Sequence, residues 1–254
     1  MDDHLAGFQD LLRRVTSEAV AALAEFSNLR DSGEREGQYA LDLVVDGPLV
    51  ASLLDAGLGV LSEEAGVLEP ERELWAIVDP VDGSTNASRG LPWYNTSIAI
   101  VDDDGPLVAI VENHVTGERF EAVRGHGATR NGVQILAGGQ SIETGIVGVN
   151  GVPPASNPWA QFRCLGASAL DLCAVATGVL DGYVDFDDEA HGVWDYAAAL
   201  LVCEEAGVAV VDAFGRDLVH RDHTERRTPV AAGNVSDLDA LVSLRQGTRS
   251  DDRS

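Results

Sequence analysis

Two aspartates, Asp79 and Asp82, are placed so that both could bind one metal ion. They lie in the segment Asp79-Pro80-Val81-Asp82-Gly83-Ser84, directly after an apolar run that predicts a buried strand. Because the proline and the glycine make the chain turn, both carboxylates can point toward the same place. Mg²⁺ prefers oxygen ligands in near-octahedral geometry, usually a few carboxylates together with water and a substrate phosphate. The segment therefore predicts one part of a magnesium site.

Two further acids could complete that site from other parts of the chain. Glu63 lies upstream in Ser62-Glu63-Glu64, and Asp195 follows Trp194 at the predicted start of a helix. Each piece alone has an ordinary structural explanation, namely a turn, a solvated pair of surface acids or an acid at a helix N-terminus. Their joint occurrence is what favours a metal site.

Other motif interpretations fit the residues less well. A calcium EF-hand starting at Asp79 would need oxygen ligands and a final glutamate where Val81, Gly83 and Gly90 stand. Asp185-Phe186-Asp187 is a weak match to a haloacid-dehalogenase nucleophile loop. Gly125-His126-Gly127 lacks the third glycine and the βαβ unit of a dinucleotide site. The histidines are scattered, which argues against a zinc site built on neighbouring imidazoles.

The composition narrows the class of partner. The 254 residues are 45% hydrophobic and carry a formal net charge of -25, with arginine as the only strongly basic side chain. Such a charge opposes binding to nucleic acid and to anionic membranes. No signal peptide or membrane-spanning apolar run is visible, so we expect a cytoplasmic protein. Its three cysteines, Cys164, Cys173 and Cys203, are expected to be buried, reduced thiols.

The first half, residues 1–140, is predicted to be an α+β unit that carries the acidic segment. Apolar residues at three- and four-residue spacing predict a helix over 5–26, followed by a loop over 30–37 and a helix over about 48–55. Short β-rich runs predict an antiparallel sheet, with strands over 75–78, 96–101, 107–112 and 119–123. Asn131-Gly132 is typical of a tight hairpin turn.

The second half, residues 141–244, alternates strands and helices and is predicted to be an α/β unit. The polar residues 245–254 are expected to form a disordered tail. The predicted strands cover 146–149, 182–186, 208–211 and 229–232, and the predicted helices cover 167–177, 194–205 and 237–244.

Two long motifs resemble the signatures of the inositol monophosphatase family. Trp75-Ala76-Ile77-Val78-Asp79-Pro80-Val81-Asp82-Gly83-Ser84-Thr85-Asn86 is similar to its W-x-I-D-P-x-D-G-T-x-N motif. Trp194-Asp195-Tyr196-Ala197-Ala198, followed by Glu205-Ala206-Gly207, is similar to its W-D-x-A-A and E-A-G motifs. Shorter matches surround Glu63, Gly125, Asn131 and Gly166, and the resemblance runs from about residue 40 to residue 235.

The resemblance implies a fold and a set of ligands. The family's fold is a layered αβαβα sandwich, usually a homodimer, with the metals between its two halves. Two or three Mg²⁺ ions are implied as cofactors. The positions that match the family's metal ligands are Glu63, Asp79, Asp82, Asp195 and the carbonyl of Val81.

The resemblance also implies roles in catalysis and substrate binding. Ser84 matches a threonine that positions the attacking water, its acidic partner aligns with Asp46, and Glu63 is the third implied catalytic residue. Asp185 is the first of several acids, Asp187, Asp188 and Glu189 among them, that could contact the substrate, in a segment longer than expected over 185–193. The remaining implied substrate contacts are Asp82, Gly83, Ser84, Gly166, Ala167 and Ser168.

The implied activity is hydrolysis of a small phosphomonoester by metal-activated water, with inositol monophosphate as the default substrate. Histidinol phosphate, fructose 1,6-bisphosphate and 3′-phosphoadenosine 5′-phosphate are alternative substrates within the same class. A catalytically silent binding or assembly protein on the same fold is the alternative from another class. The substrate is not specified by the motifs that specify the metal site.

Overall fold

The computed structural model describes residues 3–26, 39–188 and 190–248. Helix α1 (Asp3–Glu25) matches the predicted first helix, and its buried residues Phe8, Leu12, Val15 and Leu23 lie on one face. The loop predicted over 30–37 lies outside the described residues.

Helix α2 spans Ala40–Asp55 and begins eight residues earlier than predicted. Its start is fixed by the Asp42 carboxylate, which accepts a hydrogen bond of 2.9 Å from the backbone N–H of Tyr39. Pro48 therefore lies inside the helix and does not begin it. The earlier start matters because it places both Asp42 and Asp46 on α2, one turn apart.

In the described part of the first half, strands form one mixed sheet in the order β2-β1-β3-β4-β5-β6-β7-β8. The predicted antiparallel pairing is confirmed from β3 onward, but β1 is parallel to β3. The Asn131-Gly132 hairpin is confirmed, with φ of 52° and 75° between β7 and β8. The elements are β1 (Gly59–Ser62), β2 (Gly66–Leu68), β3 (Trp75–Asp82), α3 (Ser84–Arg89), β4 (Asn95–Asp102), β5 (Gly105–Asn113), β6 (Arg119–Val123), β7 (Gly127–Arg130) and β8 (Val133–Ile135).

The second half contains a five-stranded sheet in the order β10-β9-β11-β13-β12, as far as the structure describes it. The helix predicted over 194–205 is wrong at its start, because a 3₁₀ turn over Val193–Asp195 precedes α5. The elements are β9 (Ile146–Asn150), β10 (Gln161–Arg163), α4 (Ser168–Ala176), β11 (Gly182–Asp185), α5 (Ala197–Ala206), β12 (Ala209–Asp212), β13 (Pro229–Ala232) and α6 (Val235–Gln246).

The tail predicted over 245–254 begins too early. Arg245 and Gln246 belong to α6, and the Arg245 side chain is fully buried. A buried guanidinium needs hydrogen-bond acceptors, and three acceptors lie within reach, so this turn of the helix is anchored. Residues 249–254 lie outside the described part of the chain.

The layers follow from which residues are buried together. Helices α4 and α5 share one apolar cluster with both sheets, so they lie between them. Helices α1 and α2 cover the outer face of the first sheet, and α6 packs on the outer face of the second. The result is the predicted αβαβα sandwich. The expectation of three buried thiols holds for Cys173 and Cys203 but is wrong for Cys164, which is exposed.

One carboxylate joins two of the motifs that resemble the family's signatures. Glu205, near the end of α5, accepts hydrogen bonds from the backbone N–H groups of Gly125 at 2.6 Å and Gly127 at 2.7 Å. Both glycines have positive φ, 75° and 86°, which L-residues rarely adopt. The E-A-G and G-x-G motifs are thus one structural contact between the two halves. Among the described helices, none is both long and apolar enough to cross a membrane.

Candidate active site

Three of the predicted acids meet at the ends of neighbouring elements. Strands β1 and β3 run parallel, and Ser62 pairs with Val78, so Glu63 and Asp79 follow at the same edge of the sheet. The 3₁₀ turn before α5 brings Asp195 to them from the second half. One carboxylate oxygen from each of Glu63, Asp79 and Asp195 lies within 4.8 Å of the others. This acidic cluster is the centre of the candidate site.

Asp82 connects the same strand to the second half of the molecule. Its Oδ2 accepts hydrogen bonds from the Asn95 side chain at 2.8 Å and from the backbone N–H of Ala169 at 2.9 Å. The strand predicted to end at residue 78 continues to Asp82, with an irregularity in its pairing between Asp79 and Asp82. This irregularity replaces the simple turn that the sequence predicted. Asp79 belongs to the acidic cluster, whereas Asp82 is hydrogen-bonded to Asn95 and Ala169.

The electrostatics of the cluster suit a bound cation. Burial raises the pKa of Glu63 and of Asp79 well above the usual range, and the charges of neighbouring carboxylates raise both further. Burial and the charge of Asp195 raise the pKa of Asp82 to about 7. Closely spaced carboxylates repel one another, and a divalent cation balances that repulsion. The donor set is all oxygen, which suits a hard divalent cation such as Mg²⁺, Ca²⁺ or Mn²⁺.

A cavity of about 280 Å³ opens beside the acidic cluster, between the two halves. Glu63, Asp82 and Asp195 line it on the side of the metal ligands. The predicted substrate contacts Gly166, Ala167 and Ser168 also line it, together with Asn150, Asp171, Tyr183, Asp187, Ala190, His191 and Arg226. The cavity is therefore a space next to carboxylates with room for a small phosphorylated molecule.

The segment around Gly166 is held against the acidic strand. The Asn86 amide donates to the carbonyls of Leu165 at 2.7 Å and Trp93 at 2.8 Å. Gly83 has φ of 86°, and a Cβ there would lie 3.0 Å from the Trp93 carbonyl oxygen, so glycine is required. Ser168 donates its hydroxyl to the Asp195 carbonyl at 2.9 Å. These contacts join the predicted phosphate-binding turn to the predicted substrate-binding segment.

Ser84 and Asp46, the predicted catalytic pair, lie on two different helices. Ser84 is the first residue of α3, half-buried, directly after Gly83. Asp46 is buried in α2, where it accepts a hydrogen bond of 2.5 Å from the Ser62 hydroxyl. The predicted pairing of Ser84 with Asp46 stays a prediction.

Asp42 is a buried acid near the cluster that the sequence reasoning missed. Its charge contributes to the raised pKa of both Glu63 and Asp79, so it lies close enough to interact with them electrostatically. Burial raises its own pKa to about 7. Its Oδ1 is buried and makes no hydrogen bond within the described residues. The available signal was helical spacing, because Asp42 and Asp46 lie four residues apart among Leu41, Val45 and Leu49.

The expectation that Asp185 contacts the substrate stays a prediction, and the burial of Asp185 does not favour it. Its side chain is fully buried, and Oδ1 accepts hydrogen bonds from Asn150 at 2.8 Å and from the Asp187 backbone N–H at 2.9 Å. Asp185 fixes the turn, whereas the exposed Asp187 lines the cavity. Asp188 pairs with Arg245, and Glu189 lies outside the described residues.

His191 is a second residue that the sequence reasoning missed. Its Nδ1 lies 3.4 Å from Asp195 Oδ2, and its Nε2 lies 3.0 Å from the Tyr183 hydroxyl. Burial lowers its pKa, but the hydrogen bond to Asp195 and the charges of Asp185 and Asp195 outweigh burial and raise it to about 9. The imidazolium thus places a positive charge beside one of the candidate metal ligands.

Comparison with known proteins agrees with this geometry. The model of the inositol monophosphatase family matches residues 14–247. A fructose-1,6-bisphosphatase/inositol-1-monophosphatase from Methanothermobacter thermautotrophicus is 33% identical over 254 aligned positions, covering 87% of this chain and 90% of the relative. A Nus factor SuhB from Xylella fastidiosa is 34% identical over 202 positions, covering 73% and 72%.

A solved structure of an extragenic suppressor from Pyrococcus furiosus superposes with a TM-score of 0.82 at 28% identity, covering 92% of this chain and 98% of that one. The fold is therefore shared with that structure. The chain belongs to the inositol monophosphatase family, which makes it a phosphomonoester hydrolase.

Proposed function

We propose that this chain is a Mg²⁺-dependent phosphatase that hydrolyses inositol monophosphate. The observation that carries the proposal is the approach of Glu63, Asp79 and Asp195 within 4.8 Å at the edge of a 280 Å³ cavity. These three residues, with Asp82 and the carbonyl of Val81, would hold two or three ions. Bound Mg²⁺ would neutralise phosphate charge, make a water molecule more acidic and align it with the leaving group.

The chain's own groups would orient the substrate. The backbone N–H groups of Gly83 and Ser84 follow the acidic strand and can donate to phosphate oxygens. The Ser84 hydroxyl can orient the attacking water. Ser168 and the backbone around Gly166 lie at the cavity wall and suit the hydroxyl groups of a cyclitol. No covalent intermediate on a side chain is needed.

The direct test is phosphate release from myo-inositol 1-phosphate. We expect release with Mg²⁺ and none after chelation with EDTA, with activity restored when Mg²⁺ is added back. Release that is unaffected by EDTA would contradict the metal role. A panel containing histidinol phosphate, fructose 1,6-bisphosphate and 3′-phosphoadenosine 5′-phosphate, compared by kcat/KM, ranks the possible substrates.

Fructose 1,6-bisphosphate is the second candidate substrate, because the positively charged Arg226 side chain at the cavity could bind its second phosphate. The Arg226 guanidinium lines the cavity, lies 5.1 Å from the Trp194 ring centroid, and donates to the carbonyl of His223 at 2.9 Å. The relative from Methanothermobacter carries both activities in its name. A higher kcat/KM for fructose 1,6-bisphosphate than for inositol 1-phosphate would favour this candidate.

A silent binding protein on this fold is the alternative from another class, and the name Nus factor SuhB, carried by a relative, describes no hydrolysis. Such a protein would be expected to lack a metal ligand, whereas all four candidate carboxylates are present. Calorimetric titration that finds no Mg²⁺ binding even with inorganic phosphate present would favour the silent protein. A homodimer and a cytoplasmic location stay predictions.

Asp42 is proposed in place of Asp46 as the acid that supports the water-positioning group. Asp42→Asn is expected to lower kcat by about tenfold or more, the range typical of groups that orient metal ligands and water. Asp46→Asn, which keeps an oxygen for the Ser62 hydroxyl, is expected to change kcat less than about threefold. Steady-state phosphate release from both variants decides between the two acids. A larger loss in the Asp46 variant would support the assignment made from sequence.

A further inference from the structure

The Arg245 side chain, in the last turn of α6, is hydrogen-bonded to a chain segment that lines the cavity. It is fully buried. Nε donates to the carbonyl of Asp185 at 2.6 Å, and Nη2 donates to the carbonyl of Asp187 at 3.3 Å and to Asp188 Oδ1 at 2.5 Å. The guanidinium also lies 5.2 Å from the Phe214 ring centroid. One side chain therefore contacts three of four consecutive residues, which we name the acidic segment (185–188).

The acidic segment leaves β11 and runs along the cavity. Its first residue, Asp185, accepts a hydrogen bond from the Asn150 side chain at Oδ1. The same oxygen accepts a hydrogen bond of 2.9 Å from the Asp187 backbone N–H, which stabilises the turn. Asp187 lines the cavity and is exposed. His191, a few residues further on, also lines the cavity but is buried. The path of this segment thus decides where the Asp187 carboxylate stands relative to a bound substrate.

The contacts of Arg245 are those of a residue that fixes a chain path. Burying a guanidinium is unfavourable unless its N–H groups find acceptors. Two of the three acceptors here are backbone carbonyls, so the contacts specify backbone position as well as balancing charge. Nη1 is buried without a hydrogen-bond partner in the described part of the chain, which reduces the net stabilisation that the residue provides.

We propose that Arg245 is a positioning residue for substrate selection, which holds the acidic segment so that Asp187 contacts the part of the substrate remote from the phosphate. The proposal rests on the proposed phosphatase function. It accounts for a buried cation in the last turn of a helix on the outer face of the second sheet, with its hydrogen bonds made to the acidic segment. It also makes the length of the segment, which exceeds the family expectation, part of how the substrate is chosen.

The test compares two substrates in Arg245→Met and Arg245→Lys. myo-Inositol 1-phosphate has hydroxyl groups that can reach Asp187, whereas 4-nitrophenyl phosphate has none. Arg245→Met is expected to raise KM for inositol 1-phosphate by about tenfold, the effect of one lost hydrogen bond to a charged group. kcat/KM for 4-nitrophenyl phosphate is expected to stay within about twofold. Arg245→Lys, which keeps a buried cation and donors, is expected to restore part of the affinity.

Leu241→Ala is the matched control, because Leu241 is fully buried on the same helix and does not itself line the cavity. Both variants should lower Tm, but only Arg245→Met should change the ratio of kcat/KM between the two substrates. An unchanged ratio in Arg245→Met, or an equal change in Leu241→Ala, would overturn the proposal. If the wild-type chain hydrolyses neither compound with Mg²⁺, the proposed function has failed. Amide hydrogen exchange then decides the positioning role, which requires faster exchange of 185–188 in Arg245→Met and is overturned by unchanged exchange.

Discussion

Replacing Asp79 with asparagine is expected to reduce Mg²⁺-dependent phosphate release by more than about a hundredfold. Asp79 is 1% exposed, and one of its oxygens lies within 4.8 Å of oxygens of both Glu63 and Asp195. Asparagine keeps the size of the side chain and the acceptor for the Val81 N–H, which lies 3.0 Å from Oδ1. It removes one charge and one anionic oxygen, which a hard divalent cation needs. Loss of partners beyond the direct ligands already reduces metal affinity or activity by about 10- to 100-fold.

A second buried aspartate provides the control that distinguishes loss of a metal ligand from loss of stability in Asp79→Asn. Asp181 accepts backbone hydrogen bonds from Gln140 at 2.7 Å and from Ile146 at 2.8 Å, away from the cavity. Asp181→Asn should unfold at a lower urea concentration but keep kcat/KM within about twofold. Asp79→Asn should remain folded, since it relieves repulsion among carboxylates, and calorimetry should find weaker Mg²⁺ binding. Full activity in folded Asp79→Asn would refute the ligand role.

Local patterns predicted the elements around the site well. The spacing of Leu12, Val15, Ala19 and Leu23 predicts α1, and Asn131-Gly132 predicts the hairpin, because helical periodicity and positive φ are properties of a few adjacent residues. The resemblance gave the layered fold, since the long signatures extend over both halves. These features depend on short stretches of sequence and need no knowledge of distant contacts.

Pairings between distant residues could not be obtained in the same way. The parallel pairing of β1 with β3, which brings Glu63 beside Asp79, is a contact between strands that are separate in sequence. Asp42 was missed because the choice between Asp42 and Asp46 depends on which turn of α2 faces the cluster. Asp185 was assigned by position, and its burial could not be predicted from its neighbours in sequence, whereas Asp187 lines the cavity.

Buried charge was the least predictable feature. Arg245 stands in a polar C-terminal stretch that resembles a disordered tail, and its burial requires Asp185, Asp187 and Asp188 as acceptors from about sixty residues away. His191 belongs to no motif, and its raised pKa arises from Asp185 and Asp195. Sequence patterns carry little information about such groups because their cost and their compensation are both set by tertiary structure.

The second large expected effect is a fall in the stability of the metal-free protein between about pH 4 and pH 8. Burial is the main cause that raises the pKa of Asp42 to about 7, Asp82 to about 7 and Asp171 to about 8. In the unfolded chain the pKa of aspartate is about 3.9. The folded protein therefore holds more protons than the unfolded chain in this range, and stability falls as pH rises. Each pKa unit corresponds to about 1.4 kcal/mol, so even one of these carboxyls would change the free energy of unfolding by several kcal/mol across this range.

Two other groups change how stability depends on pH at the alkaline and the acid end of the range. His191, with its pKa raised to about 9, stabilises the fold fully below about pH 6.5, and this contribution is lost as pH rises through about 9. At the acid end, the Arg124 hydrogen bond lowers the pKa of Asp102, so its stabilisation is lost as pH falls below about 4. Thermal unfolding in EDTA should therefore give the highest Tm near pH 5 and a lower Tm at pH 8.

Mg²⁺ should reverse the fall at pH 8 but have little effect at pH 5. At pH 8 the carboxylates of the cluster are expected to ionise most readily and to bind Mg²⁺, and a ligand at 100 times its Kd stabilises the folded state by about 2.7 kcal/mol. At pH 5 the raised pKa values of Glu63 and Asp79 favour the protonated form of these two carboxyls, so protons compete with the metal. Asp79→Asn is the control, and it should show a smaller fall in Tm and a smaller effect of Mg²⁺. A Tm in EDTA that rises from pH 5 to pH 8 would contradict the raised pKa values of the buried aspartates. An equal effect of Mg²⁺ at both pH values would contradict metal binding by the acidic cluster.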